Sequence, residues 1–212
     1  MRLFLHGLGQ TPSDWDGVLA GMAPGEDALR PDLRQLLGGR DAEFPALFRG
    51  FEEYCGRLEG PLCLCGLSLG GVLALRYAME HPARVSSMVL VGTQYAMPSG
   101  LLRFQNAVLH LMPDRAFPRD GFGKQGFIAL SRSMMYLDLE PRLREVRCPV
   151  LVVCGERDRA NRSAALGLSR KLPHAEMAFV PKAGHEVNTE APKALAGLLT
   201  GFWGGPGASA GL

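Results

Sequence analysis

Three residues that could perform nucleophilic chemistry follow one another along the chain in the order serine, aspartate, histidine. Ser68 lies in the stretch CGLSLGG, Asp158 in CGERD and His185 in AGHE. A serine hydroxyl is a weak nucleophile and needs a base within hydrogen-bond reach. Histidine suits that role near neutral pH, and a buried carboxylate fixes the tautomer of its imidazole. Together the three residue types favour attack on an electrophilic carbonyl.

The sequence around Ser68 is typical of a nucleophile elbow, a sharp turn between a strand and a helix. An apolar run at 61–64 precedes it and a helical run at 72–78 follows it. Gly66 and Gly70 are expected at the flanking positions because a Cβ there would clash with the neighbouring strand and helix. Gly-x-Ser-x-Gly alone carries a real risk of a chance match, which the strand, the helix and the later Asp and His reduce.

Short apolar strands alternate with amphipathic helices along most of the chain. The expected strands are Arg2–His6, Ala28–Arg30, Pro61–Cys65, Val85–Val91, Pro149–Cys154 and Ala175–Val180. The expected helices are Phe44–Leu58, Leu69–Glu80, Ala160–Lys171 and Ala191–Phe202. This alternation predicts a mostly parallel sheet covered by helices on both faces. In such a sheet the loops that follow the strands share one edge, where the three candidate residues would meet.

The segment from about 94 to 147 interrupts the alternation. It contains no convincing strand, and its apolar residues have helical spacing over 101–111 and over Phe127–Leu139. A connection this long inside a compact domain is usually functional, so we predict a small helical lid over the ligand-binding edge of the sheet. Met97, Phe104 and Met134 are the lid candidates for substrate binding, although packing of the lid on the sheet is favoured for any single one.

Asp158 has two competitors for the role of acid. Glu156 lies two residues earlier in the same loop, and Asp32 follows an early strand, where it is expected to shape that loop. Among the other histidines, His6 is expected to support the turn after the first strand. His110 falls on a helical pattern in the lid, where packing or solvent exposure is favoured over substrate contact.

A glycine-rich turn, His6-Gly7-Leu8-Gly9, ends the first predicted strand. Such a turn can present the backbone N–H of Leu8 to the same edge of the sheet. The N–H of Leu69, next to Ser68, supplies a second donor. Two donors aimed at one point would form an oxyanion hole, which stabilises the charge that develops on a carbonyl oxygen under attack.

Taken in order, these motifs resemble the α/β-hydrolase superfamily over about residues 1–203. The shared features are His-Gly-x-Gly, Trp15, Pro31-Asp32-Leu33, Gly-x-Ser-x-Gly-Gly, Gly-x-x-Asp and Gly-His. The resemblance implies Ser68 as nucleophile, His185 as base and Asp158 as orienting acid, with Leu8 and Leu69 as the backbone oxyanion donors. Members usually have two strands before the strand that ends in His-Gly, so we expect an α/β-hydrolase sheet shortened at its N-terminal edge.

Length and composition indicate one globular domain over 1–203 with the lid inserted at about 94–147, followed by a low-complexity, disordered tail at 204–212. The net charge is +2 without a basic block, which argues against nucleic acid. No apolar run approaches the ~20 residues needed to span a bilayer, and the N-terminus is too short for a signal peptide. Five cysteines, with Cys63 and Cys65 in poor disulfide geometry, favour core thiols and a cytoplasmic setting.

The elbow resembles those of enol-lactonases and small carboxylesterases. We therefore expect a serine hydrolase that cleaves a small-molecule carboxylic ester or lactone through an acyl-enzyme on Ser68, with no metal or organic cofactor implied. C–C bond hydrolysis and acyl transfer use the same triad in this superfamily and stay open. Receptors of this fold can retain an intact triad, so a non-enzymatic ligand-binding protein is a further alternative. Pocket shape selects the substrate, and the sequence fixes neither that shape nor the oligomeric state.

Overall fold

One six-stranded sheet organises the protein, whose computed structural model describes residues 1–22, 28–96 and 122–204. The strands are β1 (Arg2–Leu5), β2 (Ala28–Leu29), β3 (Leu62–Leu67), β4 (Val85–Val91), β5 (Val150–Gly155) and β6 (Ala175–Val180). Their order is β2-β1-β3-β4-β5-β6, and every neighbouring pair is parallel. All six strands lie where the sequence predicts them.

Eight α-helices fall within the described ranges. They are α1 (Asp16–Leu19), α2 (Leu33–Leu36), α3 (Phe44–Gly56), α4 (Leu69–Glu80), α5 (Gly123–Ser133), α6 (Arg162–Lys171), α7 (Val187–Glu190) and α8 (Pro192–Gly204). The bounds of α4 agree with the prediction, while α3 and α6 differ from it by two residues at one end and α8 by one and two residues at its two ends. The one-turn helices α1, α2 and α7 were not predicted.

Side chains of successive strand residues point alternately into two hydrophobic layers, as the two-residue period of a strand requires. Leu5 and Leu64 pack in a layer with α3 and α4. Phe4 and Val89 pack in the opposite layer, which holds Trp203 of α8. Both faces of the sheet are therefore covered, which explains why its strands are near-continuous apolar runs.

The carboxyl ends of five adjacent strands form the edge that carries the candidate residues. In the register of the sheet, Leu67 of β3 pairs with Val91 of β4, and Val91 pairs with Val153 of β5. Gly155 of β5 pairs with Val180 of β6. The loops after β1, β3, β4, β5 and β6 therefore lie side by side, and four of them begin or contain a predicted site residue.

The described part of the predicted lid departs from the expected helix Phe127–Leu139. The helix α5 instead begins at Gly123 and ends at Ser133, whose Oγ donates to the Leu130 carbonyl at 2.8 Å and competes with the helical ladder. The following chain is drawn into extended pairing, since Leu139 N donates to Tyr95 O at 2.7 Å beside an antiparallel bridge between Ala96 and Asp138. The predicted bounds were wrong at both ends.

Several predictions fall outside the described residues, among them those for Met97, Phe104, His110 and residues 205–212 of the tail. Gly204 ends α8 rather than opening the tail. No helix of the described ranges is long and apolar enough to cross a membrane. Within those ranges there is also no group of three or more His, Cys, Asp or Glu side chains that could hold a metal ion.

Candidate active site

Ser68 occupies the strained position between β3 and α4. Its φ of 51° and ψ of −111° lie outside the regions that a residue with a Cβ usually adopts, at a typical cost of about 1–3 kcal/mol. The Ser68 amide donates to the carbonyl of Val91 at 2.9 Å, and its own carbonyl accepts from Val72 at 3.0 Å. These bonds hold the half-buried serine at the N-terminus of α4, where the helix dipole favours negative charge.

The glycines of the elbow allow α4 to lie directly on the strands. A Cβ at Gly66 would be 2.3 Å from the carbonyl carbon of Gly70. A Cβ at Gly70 would be 2.2 Å from the carbonyl oxygen of Leu5. Because both obstacles are backbone atoms, neither position tolerates a side chain without moving a strand or the helix. The close approach of the strands and α4 therefore requires glycine at both positions of the motif.

His185 and Asp158 form a hydrogen-bonded pair. The His185 Nδ1 lies 2.8 Å from Asp158 Oδ2. A carboxylate can only accept, so Nδ1 carries the proton and Nε2 of the neutral ring is left with a lone pair. The Asp158 side chain is 4% exposed and that of His185 is 39% exposed. A buried acid thus orients an imidazole whose other nitrogen is available to accept a proton.

The charge of Asp158 is stabilised although the side chain is buried. Burial alone would raise the pKa of Asp158, but the hydrogen bonds from His185 and Asn161 outweigh it and lower that pKa. Asn161 Nδ2 lies 2.9 Å from each carboxylate oxygen, and the Asn161 backbone amide donates to Oδ1 at 3.2 Å. Asp158 therefore stays ionised throughout the neutral range.

Gly92 packs directly against the Asp158–His185 pair. Its φ is 55°, and a Cβ built there would be 2.9 Å from His185 Nδ1 and 3.4 Å from Asp158 Oδ2. Gly92 follows Val91, the residue whose carbonyl holds the Ser68 amide. The end of β4 therefore contacts Ser68 through one residue and His185 through the next.

The turn after β1 is closed by a backbone hydrogen bond and has a glycine at a positive φ. Gln10 N donates to Gly7 O at 3.2 Å, and Gly9 has a φ of 91°, which a residue with a side chain rarely adopts. Leu8 occupies the second position of this turn, and the N–H of Leu8 takes no part in the turn hydrogen bond. Leu69 is the first residue of α4, so its N–H has no intrahelical acceptor. Both amides belong to the class of backbone donors that can receive an oxyanion.

His6 anchors this turn from inside the protein. It is 1% exposed, its Nδ1 donates to Gly7 O at 2.9 Å, and its Nε2 accepts from Leu33 N at 3.1 Å. Asp32 caps α2 by accepting from Arg34 N at 2.9 Å, which is the loop-shaping position expected for it. Glu156, the competing acid, accepts instead from Lys182 N at 2.9 Å.

A buried amide pair joins the turn after β1 to the loop that carries His185. Gln10 Nε2 donates to Asn188 Oδ1 at 3.1 Å, and Asn188 Nδ2 donates back to Gln10 Oε1 at 3.1 Å. Gly7 N also donates to Gln10 Oε1 at 3.2 Å. Since the residues are 5% and 1% exposed, this bridge fixes the two loops relative to each other in the absence of competing water.

The loop of His185 is tied down a second time by Glu190. Its carboxylate accepts from Gly184 N at 2.7 Å and from Glu186 N at 3.2 Å, the amides on either side of His185. The imidazole is therefore held by its own hydrogen bond to Asp158 and by a loop whose backbone is clamped at both neighbouring positions.

Within the described residues, the His185 ring bonds to Asp158 and contacts Asn161, and no hydrogen bond links it to Ser68. Met134 is 8% exposed and packs in the hydrophobic layer that holds α3 and α4. Phe127 of α5 lies against the turn after β1, with its Cε2 3.3 Å from the Cβ position of Gly9.

Four polar side chains of the site were missed by the sequence analysis: Gln10, Gln94, Asn161 and Asn188. Each is a neutral amide that contacts loops remote in sequence, so no local motif marks it. Asn161 had the one available signal, because an asparagine three residues after the acid and just before a helix is typical of a capping residue.

The sequence model described as the alpha/beta hydrolase family matches residues 3–198. The chain belongs to the alpha/beta hydrolase family. This membership agrees with the resemblance drawn from the motifs, and it confirms the predicted fold class together with the parallel six-stranded sheet.

Named relatives within the family include esterases. The chain is 34% identical over 91 residues to a pimeloyl-[acyl-carrier protein] methyl ester esterase of Nitrosomonas europaea, covering 43% of this chain and 36% of that protein. It is 28% identical over 176 residues to a provisionally named 2-succinyl-6-hydroxy-2,4-cyclohexadiene-1-carboxylate synthase of Bacillus subtilis, covering 66% and 64%. The chain thus spans less than two thirds of the length of either relative.

The fold is also shared with solved structures. The enol-lactonase of Burkholderia xenovorans superposes with a TM-score of 0.74 at 21% identity, over 96% of this chain and 91% of that one. At this identity the likeness concerns the fold. The arrangement of strands and edge loops is therefore one that family members with different chemistry have in common.

Proposed function

We propose that this protein is a serine hydrolase that cleaves a small-molecule carboxylic ester through an acyl-enzyme on Ser68. The observation that carries the proposal is the Asp158–His185 pair, bonded at 2.8 Å on the edge where Ser68 takes its strained turn. The esterases among its relatives support ester hydrolysis as the reaction. A lactone, which is a cyclic ester, is the next substrate class.

The first half of the reaction would transfer the acyl group to the protein. Ser68 Oγ attacks the ester carbonyl while His185 Nε2 takes the hydroxyl proton, and Asp158 stabilises the imidazolium that results. The N–H groups of Leu8 and Leu69 donate to the oxyanion of the tetrahedral intermediate. When the intermediate collapses, the C–O bond breaks and the alcohol leaves with the proton from His185.

The second half would return the enzyme to its starting state. Water attacks the acyl carbonyl of Ser68 while His185 takes one of its protons. Collapse of this intermediate releases the carboxylic acid and returns the proton to Ser68 Oγ. All bonds and protons balance between the three side chains, the ester and one water molecule, so no step in this sequence calls on a metal or cofactor.

The proposal is tested with p-nitrophenyl esters from acetate to palmitate. Wild type is expected to turn over at least one ester, and Ser68→Ala to lose about 10³-fold or more in kcat/KM. Ser163→Ala is the matched control, because Ser163 is an exposed serine on α6. Retention of the wild-type rate in Ser68→Ala would contradict the nucleophile assignment.

Failure of wild type to hydrolyse any ester or lactone would overturn ester hydrolysis. Vinylogous C–C substrates and acyl acceptors other than water would then be tried on the same proteins. A non-enzymatic ligand-binding role would instead give a large ligand-induced rise in melting temperature with no turnover, because a ligand that binds only the folded state stabilises it.

A further inference from the structure

A chain of two side-chain amides leads to the carboxylate of Asp158. Gln94 lies in the loop after β4, and Asn161 lies at the N-terminus of α6, so they come from different edge loops. Gln94 Nε2 donates to Asn161 Oδ1 at 2.8 Å. Asn161 Nδ2 then donates to both oxygens of Asp158 at 2.9 Å. None of these contacts is needed to cap the helix.

We propose that Gln94 and Asn161 are positioning residues that fix the ionised Asp158 carboxylate in the orientation that His185 requires. The inference rests on the proposed function for its kinetic consequences, while its geometric basis stands on the described contacts. Neither residue touches the reacting atoms. Asn161 acts on the Asp158–His185 pair, because its Nδ2 bonds to the Asp158 carboxylate and also lies 3.1 Å from His185 Nδ1, and Gln94 acts through Asn161.

The contact of Gln94 decides which way the Asn161 amide faces. An asparagine side chain can be turned over with little change of shape, which exchanges its donor and its acceptor. The reversed orientation would place Oδ1 against two negatively charged oxygens. It would also bring two N–H donors face to face at Gln94, whose own amide is oriented because Nε2 also donates to the Ala160 carbonyl at 3.5 Å. The pair Gln94–Asn161 therefore selects the orientation that donates to Asp158.

With that orientation fixed, the carboxylate of Asp158 has four donor contacts. Oδ2 accepts from His185 Nδ1 at 2.8 Å and from Asn161 Nδ2 at 2.9 Å. Oδ1 accepts from Asn161 Nδ2 at 2.9 Å and from the Asn161 backbone amide at 3.2 Å. Rotation of the carboxylate would break several of these bonds at once. Its plane, and with it the imidazole ring, is held in one orientation.

The surroundings leave the amides as the principal partners of the carboxylate. The charged residues beside it in sequence are Arg157, Arg159 and Arg162, all exposed, and His185 and Asn161 rather than these arginines supply the hydrogen bonds to its carboxylate. On the loop of His185, the nearest acids are Glu186 and Glu190, which are also exposed. From β5, Cys154 contributes a thiol whose pKa burial raises to about 11, so it is neutral at pH 7.

The test compares Asn161→Leu, Gln94→Leu and the double variant with wild type. Asn161→Leu removes the side-chain donors at similar volume and keeps the backbone donor. We expect kcat to fall about 10- to 100-fold with KM changed less than about threefold, because orientation and not binding is lost. Ser163→Ala, an exposed serine two residues along, is the control and is expected to match wild type.

The pH profile separates positioning from general damage to the fold. Removing the Asn161 donors leaves Asp158 less stabilised as an anion, so the Asp158–His185 pair holds an inactivating proton more tightly. The acid limb of kcat/KM is therefore expected to move to higher pH in Asn161→Leu, and less so in Gln94→Leu. A variant that was merely less stable would show a lower kcat/KM at every pH, with the acid limb at the wild-type position.

The double variant tests whether Gln94 acts through Asn161. Gln94→Leu alone is expected to reduce kcat about three- to tenfold, and to have an effect of less than about twofold when Asn161 is already leucine. Independent, multiplying effects would overturn the relay, as would full kcat with an unmoved acid limb in Asn161→Leu. If Asn161→Leu fails to fold, Asn161→Ser, which keeps one donor, takes its place.

A readout without turnover keeps this inference distinct from the proposed reaction. The His185 Nδ1 proton, bonded to a carboxylate, is expected as a far-downfield proton NMR signal that is absent in Asp158→Asn. In Asn161→Leu that signal should shift or broaden by exchange with water. If no protein hydrolyses any ester but the signal responds, the proposed function fails and the positioning role stands. An unchanged signal contradicts the positioning role.

Discussion

Gly92 lies directly against the ring of His185, so closely that a Cβ at Gly92 would be 2.9 Å from Nδ1 and 3.0 Å from Cε1. The glycine is the first residue after β4, and its φ of 55° turns the chain away from the imidazole. A methyl group at residue 92 would therefore crowd both the imidazole and the hydrogen bond that it makes to Asp158.

Gly92→Ala is expected to reduce kcat/KM about 10- to 100-fold, because the imidazole must move and a small misplacement of a catalytic group is costly. Alanine is also strained at this positive φ. The comparison is Gly197→Ala in α8, where a Cβ would meet nothing within 4 Å. Steady-state kinetics of the two variants decide the matter. Equal activity of both would mean that the ring is not confined by residue 92.

The amide bridge between Gln10 and Asn188 is expected to hold the turn after β1 against the loop of His185. Gln10→Leu and Asn188→Leu each leave a buried amide without its partner in the other loop and should lower the free energy of unfolding by about 1–3 kcal/mol. The double variant should cost less than the sum of the two. Urea unfolding measures all three, with the exposed Gln35→Leu as control. Additive losses would show that the two amides do not act as a pair.

His6 gives the stability of the protein a pH dependence of known sign. Burial lowers the pKa of His6, although its bond to Gly7 and the nearby Asp32 and Asp14 raise it. As pH falls below about 6.5, the unfolded chain takes up a proton that the folded His6 resists. The unfolded state then binds more protons, so the free energy of unfolding decreases, by up to about 1.4 kcal/mol per pH unit.

His6→Gln should flatten this dependence between pH 8 and pH 5, even though its stability at pH 8 is lower than that of wild type. Denaturant unfolding at several pH values provides the slopes. The exposed His174→Gln should keep the wild-type slope. An unchanged slope in His6→Gln would assign the dependence to other groups.

Phe127 and Met134 should respond differently to truncation, although both belong to the described part of the predicted lid. Phe127, half-buried beside Gly9, is expected to limit the acyl pocket, so Phe127→Ala should shift the preference toward longer esters by roughly tenfold in kcat/KM. Met134 is buried in the core, so Met134→Ala should cost about 2–5 kcal/mol of stability. Its ester preference should match wild type, and a shifted preference would make Met134 part of the pocket.

The features that sequence could predict are those encoded locally. Each strand is an apolar run with its own boundary residues, and the turn at Ser68 requires Gly66 and Gly70 within two positions of it. Chain order then places Asp158 and His185 on the same edge, because all the strands are parallel. The strands and the turn at Ser68 are thus encoded by neighbours in sequence, while the parallel sheet brings the distant Asp158 and His185 to the same edge.

The features that sequence did not predict depend on contacts between distant segments. Gln94 became part of the site through Asn161, which is 67 residues away, and Gln10 through Asn188, which is 178 residues away. The end of α5 at Ser133 depends partly on the pairing of Leu139 with Tyr95, which apolar spacing within 127–139 does not record. In each of these cases, tertiary hydrogen bonds rather than local propensity determine the structure.

The most direct test of the account is covalent labelling of the nucleophile. Wild type treated with an alkyl fluorophosphonate should gain one phosphonyl group per chain by intact mass, and peptide mapping should place it on Ser68. Ser68→Ala should remain unlabelled, and His185→Ala should label far more slowly because the base is gone. Labelling at another residue, or equal labelling of Ser68→Ala and wild type, would contradict the assignment of Ser68 as the nucleophile.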